Sequence, residues 1–234
     1  MSIIRGRRKR DDYTERDMRL VWRLCALLLD YPHPRTLVML PDLVAAVARV
    51  PGPARAQLKS FLDYAQNTDQ IALAGHYVET FDMRRRSSLH LTYYAYGDTR
   101  KRGGALLMMK QAYRSAGAEM DEQELPDYLP AVLEFASTID ARAGGRILAR
   151  HRAVLELLRL SLHDSESPYA AVVDALCDTL RPLTTTDRAE IRVLAAEGPP
   201  EEEVGLDPYS IDPTVTAPEL LPTPSFPGAS GGHQ

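Results

Sequence analysis

The sequence predicts an all-α protein, a single-domain helical bundle followed by a disordered tail. Three observations carry that expectation. Apolar residues recur at helical spacing through nearly every segment between residues 15 and 196, and no alternating strand pattern competes with them. From Gly198 onward the pattern stops, and prolines at 199, 200, 208, 213, 218, 222, 224 and 227 alternate with Glu, Gly and Ser, a composition that cannot build a packed core. With 234 residues, 44% hydrophobic and 26% charged, the chain can bury one sizeable core and has the balance of a globular protein. The expected organisation is a basic flexible arm over residues 1–14, a helical domain over 15–196 and an acidic, proline-rich tail over 197–234.

The elements follow in order. Asp17 precedes a run containing Val21, Trp22, Leu24, Cys25, Leu28 and Leu29, apolar on almost all sides and therefore expected to be buried. Tyr31-Pro32-His33-Pro34 breaks it. A short helical pair spans residues 37–47, notched at Pro41, and Pro51-Gly52-Pro53 is a second break, with Pro53 placed to start a helix carrying Leu58, Phe61, Leu62 and Ala65. Asp69 is placed to cap the next helix, whose face carries Ala74, Tyr77, Val78 and Phe81. Ser87 or Ser88 can cap a further turn leading to Leu91, Tyr93 and Tyr94. Gly97-Asp98-Thr99 is a turn before a helix over residues 100–116, which Gly117 closes.

Residues 124–135 (ELPDYLPAVLEF) are the most sharply punctuated stretch. Pro126 biases Leu125 toward an extended conformation, Asp127 is placed to cap a helix, and Pro130 fits an early helical position where its missing N–H is not needed. A rigid elbow thus leads into a helix with Leu129, Val132, Leu133, Ala136 and Ile139 along one stripe, and the elbow itself is expected to be a shaped surface for a partner. Gly144-Gly145 separates this helix from a run from Ile147 to Leu162. Ser167-Pro168 starts another, and Thr186-Asp187 caps a last one through Ile191 and Leu194.

Charge is uneven. The net charge is −4, yet from Glu197 onward there are seven acidic residues and no Lys or Arg, which leaves residues 1–196 at +3. That bias is too weak to imply nucleic-acid binding, and no nucleic-acid motif accompanies it. No apolar run reaches the roughly 18 residues of a spanning helix, and the cluster Arg5, Arg7, Arg8, Lys9 and Arg10 is not followed by the apolar segment of a secretory signal, so no membrane insertion and a cytoplasmic location are expected. Cys25 and Cys177 sit far apart in apolar runs and read as buried free thiols. The six histidines form no H-E-x-x-H pair and have no C-x-x-C companions, so no metal or cofactor is expected.

No catalytic constellation is legible. G-x-S-x-G is absent, Gly103-Gly104 lacks P-loop spacing and reads as a loop or close-packing position, and Asp121, Glu122 and Glu124 have the character of surface acids. Binding surfaces fare better. Tyr77 and Phe81 lie four apart, and Leu89, Leu91, Tyr93, Tyr94 and Tyr96 crowd a stretch flanked by Arg84-Arg85-Arg86 and Arg100-Lys101-Arg102. Aromatics at helical spacing are core residues first. With basic rims they can also line a groove for an amphipathic peptide, and both readings stay open.

Three stretches, residues 77–82 (YVETFD), 88–103 (SLHLTYYAYGDTRKRG) and 124–135, together with the helical frame, resemble the assembly chaperones of respiratory nitrate reductase, the NarJ type, within the wider family of chaperones for molybdenum-containing redox enzymes. The resemblance covers about residues 15–196 and implies an all-helical protein without catalytic activity. It implies binding to the apo catalytic subunit, including its N-terminal peptide, while molybdenum cofactor and iron–sulfur cluster are installed and before membrane docking. Molybdenum cofactor biosynthesis proteins are further partners it suggests. Carried over by position, Pro126, Asp127, Tyr128, Pro130, Tyr77 and Phe81 are the candidates for that surface. With Arg84, Arg85, Leu89, Leu91, Tyr93, Tyr94 and Glu134 they make up the expected client-binding residues. Relatives often have His where this chain has Tyr128. A helical adaptor using the same surface for another client is the second reading, and a helical enzyme with scattered polar residues the third.

Overall fold

A computed structural model describes residues 13–97, 100–121 and 124–198. The expected basic arm and proline-rich tail fall, but for Tyr13, Thr14, Glu197 and Gly198, outside the described residues, as do Asp98, Thr99 and Glu122. Among the described residues the regular structure is helical, joined by one isolated antiparallel bridge between His90 and Tyr128. The expected all-α class is what forms.

Helix α1 (Glu15–Leu29) begins two residues before Asp17. Thr14 is its cap: the Asp17 N–H donates to Thr14 Oγ1 at 3.2 Å and the Thr14 N–H donates to the Asp17 carboxylate at 3.1 Å, so Asp17 is the reciprocal member of a capping box rather than the lead-in. The short pair, expected from residue 37, begins earlier, with α2 (Pro34–Val38) starting at Pro34; α3 (Leu40–Val47) starts beside Pro41 and α4 (Pro53–Gln66) at Pro53, as expected. Asp69 caps α5 (Gln70–Tyr77), accepting from the Ile71 and Ala72 N–H groups at 3.0 Å each. Beyond Tyr77 the chain widens into a π turn over Val78–Asp82. Phe81 still meets Tyr77, with ring centroids 4.9 Å apart, but Val78, expected on the same face, is exposed.

After a 3-10 turn (Arg85–Ser87) come α6 (Tyr93–Tyr96) and α7 (Arg100–Ser115), the latter closed by Gly117 at φ +75°. The elbow leads into α8 (Leu129–Thr138), followed by α9 (Ala141–Arg150), α10 (Arg152–Asp164), α11 (Tyr169–Asp178) and α12 (Thr185–Glu197). The last is capped by Thr184, with Asp187 as its box partner, rather than by Thr186. The run from Ile147 to Leu162 is two helices, broken at His151.

Helix α1 is the axis of the bundle. Its buried side chains, Val21, Trp22, Leu24, Cys25, Leu28 and Leu29, pack on α8 and α11, while α4 and α10 pack on α11 and α9 on α8. Directional contacts fix these apolar faces in register. Trp22 donates its indole N–H to Thr179 Oγ1 at 2.8 Å, and Arg19 donates to the carbonyls of Ser137 (2.8 Å) and Thr138 (3.2 Å), satisfying the C-terminal end of α8. Tyr169 gathers Phe61 and Phe81, at 4.7 and 4.8 Å between centroids. Cys25 and Cys177 are free and buried, and burial pushes the Cys177 thiol up to about 12, so both behave as small apolar side chains.

Both glycine pairs depart from expectation. Gly144 and Gly145 lie inside α9, where a Cβ at Gly144 would overlap the Ala136 side chain and backbone; the glycine lets α9 and α8 touch. Gly103 and Gly104 lie inside α7 with no described residue within 4 Å of the place of a Cβ, so among the described residues they neither turn nor pack and weaken the helix. Opposite outcomes follow for one chemical change. Gly144→Ala is expected to destabilise by roughly 1–3 kcal/mol through overpacking, whereas Gly103→Ala with Gly104→Ala is expected to stabilise by about 0.5–1 kcal/mol per site. Urea unfolding followed by circular dichroism measures both.

Candidate functional site

The elbow is built around a buried carboxylate. Asp127 is fully buried and does not cap α8; that position falls to Tyr128, whose side chain makes no cap bond. The physical reason is that its carboxylate is engaged by the segment before α6. The Thr92 N–H donates to Asp127 Oδ2 at 3.1 Å, the Thr92 hydroxyl donates to the same oxygen, His90 Nδ1 lies 3.2 Å from Oδ1, and an Arg102 guanidinium nitrogen lies 3.1 Å from Oδ2. Two backbone bonds clamp the two segments together: Leu91 N–H to Asp127 C=O and Leu129 N–H to Leu89 C=O, both 2.9 Å. Burial alone would push the Asp127 carboxyl up. The hydrogen bonds from His90 and Thr92 and the charges of His90 and Arg102 outweigh it and hold the group well below the usual carboxylate range.

The rest of the elbow is tied as firmly. Tyr113 donates its hydroxyl to the Pro126 carbonyl at 2.8 Å. The Tyr128 hydroxyl lies 2.9 Å from that of Tyr77 and 3.3 Å from Asp30 Oδ1, while Tyr77 donates to the Leu29 carbonyl at 3.2 Å. Burial raises both phenols above their ordinary value, so they act as neutral hydrogen-bonding groups. The elbow, expected as a shaped surface, is also a junction joining α1, α5, α7 and α8, with Glu124 and Leu125 exposed.

Of the residues expected to touch a client, Tyr77, Phe81, Leu89, Leu91, Tyr94, Pro126, Asp127 and Pro130 are buried. Tyr93 and Tyr128 are half-buried, and Arg84, Arg85 and Glu134 are exposed, with Arg84 3.4 Å from Glu79 and Glu134 paired with Arg23. The clamp brings Leu89, Leu91, Asp127 and Tyr128 together, and Tyr77 and Phe81 meet Tyr169 behind it; Glu134 is on a separate outer face.

An open groove of about 290 Å3 lies elsewhere, between α7 and α9 with the end of α6 closing one side. Ala105, Met108, Met109, Ala112 and Ile147 form its apolar lining, and Arg146, Arg150 and His151 stand on the α9 side. It adjoins the clamp through Thr92, which lines the groove and bonds Asp127. Helix α7 buries only Met109 and Tyr113, leaving Leu107 63% and Met108 57% exposed, so its apolar edge is left uncovered by the described residues. His151 lies 2.9 Å from the Ile147 carbonyl, and burial lowers its pKa, which favours the neutral imidazole.

Sequence reasoning did not identify His90, Thr92 and Arg102 as partners of Asp127, nor α9 as a wall of the groove. One signal for the wall was present: Arg142, Arg146 and Arg150 recur every fourth residue with no acid between them. Among the described residues there is no cluster of His, Cys, Asp and Glu that could hold a metal, and no helix is long and apolar enough to cross a membrane.

The family model for the nitrate reductase delta subunit matches residues 48–175. The nitrate reductase-like protein NarX of Mycobacterium tuberculosis is 40% identical over 160 residues, which is 68% of this chain and 24% of that protein, so the chain spans about a quarter of that relative. NarJ of Bacillus subtilis, described as a probable nitrate reductase molybdenum cofactor assembly chaperone, is 30% identical over 180 residues, 76% of this chain and 98% of its own length. A crystal structure of a redox enzyme maturation protein from Archaeoglobus fulgidus superposes with a TM-score of 0.51 at 21% identity, over 68% of this chain and 91% of that one, a likeness of fold.

Replacing Asp127 by Asn leaves Arg102 beside a neutral group, and a loss of about 3 kcal/mol is expected. Because the carboxyl is held low in the fold, its contribution is complete above the unfolded value of about 3.9 and is lost as pH falls below it. Urea titrations between pH 3 and 7 check this: the Asn variant is expected to be weaker at neutral pH and to lose less stability than the parent on acidification.

Proposed function

The chain belongs to the nitrate reductase delta subunit family, which includes the molybdenum cofactor assembly chaperones of nitrate reductase, and on that premise we propose that it is a maturation chaperone for a respiratory nitrate reductase. It binds the apo catalytic subunit, including the N-terminal peptide of that subunit, and holds it competent for insertion of the molybdenum cofactor and the iron–sulfur cluster before assembly at the membrane. It acts from the cytoplasm and performs no chemistry itself. The observation that carries the reading is the family match over residues 48–175, a span that contains the clamp and both walls of the groove.

The buried residues Tyr77, Phe81, Leu89, Leu91, Tyr94, Pro126, Asp127 and Pro130 serve this function by shaping the face rather than by touching the client. Contact falls to what is accessible: Tyr93 and Tyr128 in part, Arg84, Arg85 and Glu134 at the periphery, and the apolar edge of α7. A chaperone must also release its client, so moderate affinity suits it better than a Kd far below nanomolar.

Affinity capture from nitrate-respiring cells tests the reading: the apo catalytic subunit is the expected catch, and capture of a different client instead would favour a general helical adaptor. Calorimetric titration with the N-terminal peptide of the captured subunit is expected to be saturable. Tyr77→Ala with Phe81→Ala is expected to cost several kcal/mol of stability, the Phe change alone about 3–5 kcal/mol. Its effect on the peptide should therefore be judged on the fraction that remains folded by circular dichroism.

A further inference from the structure

Helices α7 and α9 carry eight basic residues and no acidic one, in a body whose net charge is only +3. Arg102 is engaged at Asp127, but Arg142, Arg146 and Arg150 are exposed along one stripe of α9 and make no ion pair among the described residues. Like charges four apart on a helix repel each other, so this series opposes the helix that bears it. Arg146 and Arg150 stand on the wall of the apolar groove, with Ile147 between them and Met108 and Met109 opposite. The groove's lining is apolar, small at Ala105 and Ala112 and adaptable at its methionines, and its rim is cationic.

From this geometry we infer that the α7–α9 groove is the docking site for an amphipathic helix whose flanks carry Glu or Asp, the apolar anchors entering between Met108 and Ile147 and the acidic flank lying along Arg146 and Arg150. This rests on the chaperone reading for the identity of the client but adds the place and the chemistry of recognition. One feature favours a helix over a flat anionic membrane. The lining is recessed, Met109 being 6% exposed, and a row of spaced side chains can reach it where a planar surface cannot.

Two fluorescent 16-residue helical peptides test it, each with Leu at positions i, i+3, i+4 and i+7, one flanked by Glu and the other identical but for Lys in place of Glu. The full chain is expected to bind the Glu peptide at least about tenfold more tightly at low salt, a difference that two or three rim charge pairs supply and that added salt erodes. Arg146→Glu with Arg150→Glu, both exposed, is expected to reverse the preference with an unchanged melting temperature, and Met108→Asp to weaken both peptides. Equal binding of the two peptides, preference for Lys, or a preference that survives the double charge reversal overturns the proposal. So does Arg146- and Arg150-dependent binding to vesicles of phosphatidylglycerol and phosphatidylcholine without binding of the Glu peptide. The captured catalytic subunit separates the two levels: retention of it by the charge-reversed chain overturns the groove and leaves the chaperone reading standing, whereas Glu-peptide binding without capture of any nitrate reductase subunit by the parent overturns the chaperone reading alone.

Discussion

A carboxylate removed from water and kept ionised must be surrounded by donors, and at Asp127 those donors come from a segment thirty-five residues earlier in the chain and from the first turn of α7. Thr92 supplies its N–H and hydroxyl, His90 an imidazole nitrogen and Arg102 a guanidinium. The backbone bonds at Leu89, Leu91 and Leu129 then need no further guide, since the carboxylate already sets their register. Because Arg102 is the third residue of α7, the same contact anchors the start of a helix that otherwise buries little. The wall of the groove thus depends on a charge pair outside its lining.

Helix α7 leaves Leu107 and Met108 exposed, while Gly103 and Gly104 lower its intrinsic helicity. Such an element is held by its ends: by Arg102 at the start, and by Tyr113, which reaches the Pro126 carbonyl, near the finish. Both anchors converge on the elbow. The elbow thus fixes both ends of a helix that buries only Met109 and Tyr113 along its length.

What was legible in the sequence was local. Asp69 as a cap, Pro53 as a helix start, Gly117 as a stop and the apolar stripe of α8 from Leu129 to Ala136 each depend on residues within a few positions, and they appear where the spacing put them; Ile139, expected on that stripe, falls past the end of α8 and is exposed. The departures are tertiary. Gly144 looks like a break until α8 lies against it, and Asp127 looks like a cap until Thr92 and Arg102 arrive from elsewhere. Tyr77 and Phe81, expected in the core under both readings, pack there against Tyr169. The groove was hidden for the same reason, since its two walls are about forty residues apart and only the arginine series on one of them had a local signature.

Backbone amide hydrogen exchange, compared between the parent chain and Asp127→Asn at neutral pH, bears most directly on the claim that the clamp positions α7. Faster exchange concentrated in residues 100–115, with α1 and α11 keeping their protection, is the result the account predicts. Unchanged protection across α7, or an equal loss through the whole bundle, would contradict it.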